Sequence, residues 1–78
     1  MQFRSYDSLK VFDTVARNLS ITGSAEELNQ SKGAVSYQIG KLESDLGFQL
    51  FDRSNARLYL TEAGMRLWHV SQAALLQI

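Results

Sequence analysis

Six side chains in the middle of the chain have the types and spacing to do chemistry together. Lys32, Ser36, Tyr37 and Lys41 fall within ten residues, and Arg53 and Arg57 follow four residues apart. All six donate hydrogen bonds, and four are cations. On a helix the first four share a polar face with Gly33 and Gly40, opposite Val35, Ile39, Leu42 and Leu46. Such a face donates to phosphate oxygens and to acceptors on base edges. The same residues also fit an ordinary solvated helix face followed by a surface hairpin with two arginines, so their types alone do not decide.

Other chemistries find less support. His69 is the only histidine, there is no cysteine, and no close pair of carboxylates stands beside it. That leaves neither a metal-ligand set nor a general base. No Gly-x-Ser-x-Gly elbow and no phosphate-binding glycine loop is present. The sequence therefore reads as a non-enzyme with no catalytic residue, no metal and no cofactor.

The elements that must position the donors follow from periodicity. Leu9, Phe12, Val15, Ala16 and Leu19 form one apolar stripe, which predicts a first helix over Ser8 to Leu19 with Asp7 as its cap. Thr22 is the candidate cap of a short second helix, Gly23 to Leu28. Ser31 is the candidate cap of a third helix that reaches about Leu46 and stops at Gly47, a residue that takes the left-handed conformation at low cost. The period then changes. Leu50 to Arg53 and Arg57 to Leu60 read as short strands around Ser54, Asn55 and Ala56, with Leu58 and Leu60 alternating against Arg57 and Tyr59. Thr61 caps a fourth helix running to Ile78, with Glu62 favourable at its positive end.

Seventy-eight residues make one small domain, and 45% apolar content is that of a globular chain. Eight Lys and Arg balance eight Asp and Glu, giving zero net charge. A nonspecific nucleic-acid binder is usually basic, but only the charge on the docking face matters. The opening residues lack the pattern of a signal peptide, and no apolar run is long enough to span a membrane. A cytoplasmic location and no membrane partner are expected. The run Ala73 to Ile78 is too apolar and too far along its helix for so small a core to cover, which points to a partner helix.

Taken in order, the motifs are specific. They run Ala25-Glu26-Glu27-Leu28-Asn29, Ala34-Val35-Ser36, Gln38-Ile39, Leu42-Glu43, Leu46-Gly47, Leu50-Phe51-Asp52-Arg53 and Leu60-Thr61-Glu62-Ala63-Gly64. Together they resemble the signature of LysR-type transcription regulators. Leu9 to Ala16 matches that family's first helix, and Val11-Phe12-Asp13 with Ala16-Arg17 is most similar to the glycine-cleavage-activator subgroup. The resemblance covers about Tyr6 to Ile78. It implies a mainly α fold, a winged helix-turn-helix of three helices and a short β-hairpin wing, followed by a long C-terminal linker helix. Residues 1–61 would form the DNA-binding domain and 62–78 the start of the dimerisation helix, with the effector-binding domain absent from this chain.

The resemblance further implies binding to double-stranded DNA carrying an inverted repeat. The third helix, 31–46, would enter the major groove, and the wing, 50–60, would lie on the backbone or in the minor groove. Lys32, Gly33, Ser36 and Tyr37 are the expected base readers, while Thr22, Ser31, Lys41, Arg53, Arg57 and Thr61 would hold phosphates. Arg53 could instead brace the wing through Asp52 or Glu62. Leu67, Trp68, Ala74, Leu75, Leu76 and Ile78 would form a homodimer interface, with tetramers in a full-length protein and a small-molecule effector bound only by the C-terminal domain. The family commonly has Gln-Pro at Lys32-Gly33, arginine or histidine at Tyr37, and Arg-Ala at Gly23-Ser24, and one or two more arginines between Ser54 and Ala56. These departures fall on the reading surface and leave room for the alternative of a winged helix that binds only protein.

Overall fold

The computed structural model describes residues 3–54 and 57–76. Its elements are α1 (Phe3–Asn18), α2 (Ile21–Leu28), α3 (Lys32–Leu46), β1 (Phe51–Asp52), β2 (Tyr59–Leu60) and α4 (Glu62–Leu76). This is the predicted order of three helices, hairpin and fourth helix. The predicted end of α4 at Ile78 lies outside the described residues.

Each boundary has a local cause. α1 begins at Phe3, earlier than the apolar stripe indicates, so Asp7 lies inside the helix and caps nothing. It stops because Leu19 turns left-handed at φ 50°, while its N–H still donates to Val15 O at 2.7 Å. That turn also swings Leu19 out of its predicted place in the core, to 41% exposure. The cap of α2 is Ser20 rather than Thr22. Ser20 is extended, and its Oγ accepts the Gly23 N–H at 3.0 Å, a bond Thr22 cannot make from within the first turn. Ser31 caps α3 as expected, accepting the Ala34 N–H at 3.0 Å. Gly47 ends α3 at φ 85°, its N–H donating to Glu43 O.

The hairpin ladder is shorter than predicted, two residues a strand, with Phe51 opposite Leu60 and Asp52 opposite Tyr59. Arg53 and Arg57 therefore stand beyond the ladder, on the wing's loop side. Leu58 and Leu60 are half-buried against exposed Arg57 and Tyr59, the alternation expected of a strand with one wet face.

Val11, Phe12, Val15 and Ala16 of α1 meet Ala25 of α2, Val35 and Ile39 of α3, and Leu50 and Phe51 at the wing base. The Phe12 and Phe51 rings lie 5.5 Å apart and tilted, a favourable aromatic arrangement. Leu46, on the predicted apolar face, is 39% exposed at the end of α3. Helix α4 is fastened to α1 by one carboxylate. Asp13 Oδ1 accepts the Trp68 indole N–H at 3.0 Å and the Gln72 amide at 2.9 Å, while Oδ2 takes Arg17 Nε at 3.3 Å. At its other end α4 presses onto the wing base through Gly64, where a Cβ would stand 2.1 Å from Leu50 O.

Candidate nucleic-acid interface

The donor face of α3 is built outward from its cap. Ser31, Lys32, Gly33, Tyr37, Gly40 and Lys41 are exposed and Ser36 is half-buried, while Val35 and Ile39 are sealed on the opposite side. Tyr37 is 69% exposed, the highest value among the exposed large hydrophobic side chains described. A Cβ added at Gly33 or Gly40 would meet nothing within 4 Å. Packing within the chain therefore does not require glycine at either position, although glycine costs a helix about 1 kcal/mol relative to alanine.

The wing is joined to this face by Glu43. Its Oε2 accepts the N–H groups of Leu50 and Phe51 at 2.7 and 3.1 Å. From the other side Thr61 closes the wing base. Its N–H donates to Leu50 O at 2.9 Å, its hydroxyl donates to Gln49 O at 2.7 Å, and the same oxygen accepts the Gly64 N–H at 2.9 Å. Thr61 was expected to touch phosphate; in the fold its hydroxyl is occupied as a cap and a strut. Arg57 and Tyr59 line a cleft of about 530 Å³ with Asn18, Leu19 and Ser20, which sets the wing beside the start of α2. Thr22 stands exposed in that helix's first turn.

Electrostatics resolves the puzzle of zero net charge. Most acids have partners within the chain. Glu27 and Asp13 hold Arg17 at 2.7 and 3.3 Å, and Glu62 holds Arg66 at 3.2 Å. The Glu27 bond raises the Arg17 pKa, and Arg17, with Asn18, keeps the Glu27 carboxyl below its ordinary range. Asp52 turns to Ser54, accepting its hydroxyl at 2.7 Å and its N–H at 2.9 Å, and these bonds lower its pKa, the hydroxyl most. Arg53 is thus not braced by Asp52 or Glu62 among the described residues: both acids have other partners. Lys32, Arg53 and Arg57 form no ion pair among the described residues, and Arg57 donates to the Tyr59 hydroxyl at 3.4 Å. Lys41 is the exception on this face, with Asp45 at 3.6 Å.

The expected interface residues on α4 divide. Leu67 lines an apolar cleft of about 490 Å³ with Phe48, Ala63, Arg66 and Val70. Trp68 packs on the chain's own core, with its N–H on Asp13. The side chains of Ala74, Leu75 and Leu76, and all of Ile78, lie outside the described residues. No cluster of three or more potential metal ligands occurs among the described residues, and no helix there is long and apolar enough to cross a membrane. The periodicity argument missed Ser20, Asp13 and Glu43. Of these, Ser20 left a signal, as a serine at the start of a short helical stretch.

Comparison with known proteins places this arrangement. The family described as bacterial regulatory helix-turn-helix protein, lysR family, matches residues 6–65. The glycine cleavage system transcriptional activator of Escherichia coli K12 is 53% identical over 58 residues, 74% of this chain and 19% of that protein. The RuBisCO operon transcriptional regulator of Allochromatium vinosum is 46% identical over 69 residues, 88% of this chain and 23% of that protein. The chain thus spans about a fifth of the length of these relatives. Among solved structures, the BenM_DBD/catB site 1 DNA complex superposes with a TM-score of 0.89 at 27% identity, covering 99% of this chain and 83% of that one. The CbnR_DBD–DNA complex gives 0.84 at 31% identity, covering 96% and 83%. A family match across most of the chain, relatives near half identity and a shared winged fold agree, and the chain belongs to the lysR family of bacterial regulatory helix-turn-helix proteins.

Proposed function

We propose that this chain binds double-stranded DNA sequence-specifically, as the N-terminal domain of a cytoplasmic, non-enzymatic transcription regulator. The observation that carries the proposal is the charge arrangement: Lys32, Arg53 and Arg57 are exposed and in no ion pair among the described residues, while most acids have partners within the chain. The fold's likeness to two DNA complexes supports it. Helix α3 enters the major groove with Lys32, Gly33, Ser36 and Tyr37 at base edges. Thr22, Ser31, Lys41, Arg53 and Arg57 position the backbone. Residues 1–61 act as the binding unit and 62–78 as the start of the linker, and an effector domain lies elsewhere in the protein.

Titrating salt against binding to genomic DNA fragments tests this. Counterion release makes DNA affinity fall steeply as salt rises; salt-insensitive binding, or none, would favour a protein-binding winged helix instead. Arg53→Ala is expected to weaken binding to all fragments alike and to flatten the salt slope by about one unit. Lys32→Ala is expected to relax preference at one base pair per half-site, a discrimination of about 1–3 kcal/mol when a lysine meets guanine O6 or N7. An unchanged preference profile would remove Lys32 from the reading surface.

The functional unit is a homodimer through α4, with tetramers in the full-length protein. Exposed Val70 on α4 and exposed Phe48 after α3, beside half-buried Leu67, leave an apolar cleft open among the described residues. Burying such side chains contributes roughly 1.5–3 kcal/mol each, against the cost of association. A two-fold axis would set two recognition helices roughly 34 Å apart and call for an inverted-repeat target. Sedimentation across concentrations is expected to show dimers that Leu75→Lys or Leu76→Lys dissociate. A strict monomer at high micromolar protein, indifferent to both changes, would exclude this interface.

A further inference from the structure

Gln30 lies in the turn between α2 and α3, one residue before the Ser31 cap, and it is exposed. Its backbone N–H is engaged, donating to Ala25 O at 2.9 Å. Its side chain is held as well. Gln38 Nε2 donates to Gln30 Oε1 at 2.6 Å and to Ala34 O at 3.1 Å.

The direction of this pair follows from the Ala34 carbonyl, which can only accept. The Gln38 atom beside it must be the amide nitrogen, and the Gln30 atom beside that nitrogen must be the oxygen. Gln30 Nε2 is then left with two N–H donors and no acceptor among the described residues. An amide with both donors uncommitted so placed stands at the mouth of the recognition helix, where N-terminal residues meet DNA.

We propose that Gln30 is a further DNA-contacting residue, held by Gln38 so that both of its Nε2 donors are left for the DNA. The proposal rests on the DNA-binding function above. A glutamine free to turn pairs with adenine through one donor and one acceptor. Here Oε1 already accepts from Gln38 while Nε2 keeps both donors, which biases the amide away from that pairing. The favoured targets are acceptors: a phosphate oxygen, guanine O6 or N7, or thymine O4. Gln38 touches no DNA and acts as a positioning residue.

The test compares Gln30→Met and Gln38→Met with the unchanged chain, using selection from a random duplex pool and binding at two salt concentrations, with melting curves to show that each is folded. Both variants break the same internal hydrogen bond, but only Gln30→Met removes the donors. It is expected to lose about tenfold in affinity, clearly more than Gln38→Met. A loss shared by all sequences identifies a phosphate oxygen. A change confined to one base pair per half-site identifies a base edge, and in that case Gln38→Met, which frees Oε1, shifts preference there toward adenine. If the two variants lose equally, or Gln30→Met loses nothing while the unchanged chain binds with a steep salt slope, Gln30 only braces the turn and the proposal is overturned. If the unchanged chain shows no salt-dependent binding, the DNA-binding function itself fails, and this proposal with it.

Discussion

Gly64→Ala is expected to lower the stability of the domain by about 3 kcal/mol, the upper part of the range for overpacking. The melting midpoint should fall by on the order of 15 °C for a domain of this size. The reason is contact rather than conformation, since Gly64 is an ordinary helical residue of α4. A methyl group there would stand 2.1 Å from Leu50 O, 3.0 Å from Leu50 C and 2.9 Å from Leu60 Cδ2. Two of these are backbone atoms that cannot swing aside. Leu50 O already accepts the Thr61 N–H, and Thr61 Oγ1 holds the Gly64 N–H, so yielding means opening the cap of α4. Thermal unfolding followed by circular dichroism reads the effect directly. A midpoint within a few degrees of the unchanged chain would show that α4 does not sit this close to the wing base.

Glu43→Ala should be nearly as damaging, by about 2–4 kcal/mol for two hydrogen bonds to a charged acceptor. The carboxylate is the only acceptor seen for the N–H groups of Leu50 and Phe51 among the described residues, and both residues are buried. Removing it leaves two donors near the core without a partner. The loss has a functional side too, because the same bonds tie the wing to α3. Denaturant unfolding should show the destabilisation. DNA binding, measured where the variant is still folded, should show a reduced salt slope as Arg53 and Arg57 lose their fixed relation to α3. Glu43→Gln keeps one oxygen in place and should recover much of both. Equal loss in the two variants would mean that the acceptor is not what matters.

Much of this was legible in the sequence because it depends on neighbours along the chain. Ser31 and Gly47 bracket α3 by local cap chemistry, and the alternation of Arg57 to Leu60 betrays a half-buried strand. The fold class followed from motif order. What stayed hidden needs atoms that are distant in sequence. Asp13 reads as one more polar residue on α1 until α4 brings Trp68 and Gln72 against it. Gly64 reads as part of a motif until Leu50 O is seen to occupy the space of its missing side chain. The α2 boundary failed for a subtler reason. Ser20 and Thr22 are both plausible caps, and the choice falls to the left-handed turn at Leu19, which no periodicity reveals. At the interface, residue types marked Lys32, Arg53 and Arg57. That they are unpaired depends on where Asp52, Glu62, Glu27 and Asp13 find their own partners.

The carboxylate of Asp13 also gives the domain an optical property. Trp68 is the only tryptophan in the chain, and its indole N–H ends on that carboxylate. Emission excited at the long-wavelength edge of the ultraviolet band therefore arises from one ring, at one contact between the first helix and the last. The recognition helix and the wing contribute only tyrosine and phenylalanine and are silent in that window. A shift in its emission colour on adding DNA thus reports a change in the surroundings of α4, at its seat on α1 or at its association with a second copy, with no label attached.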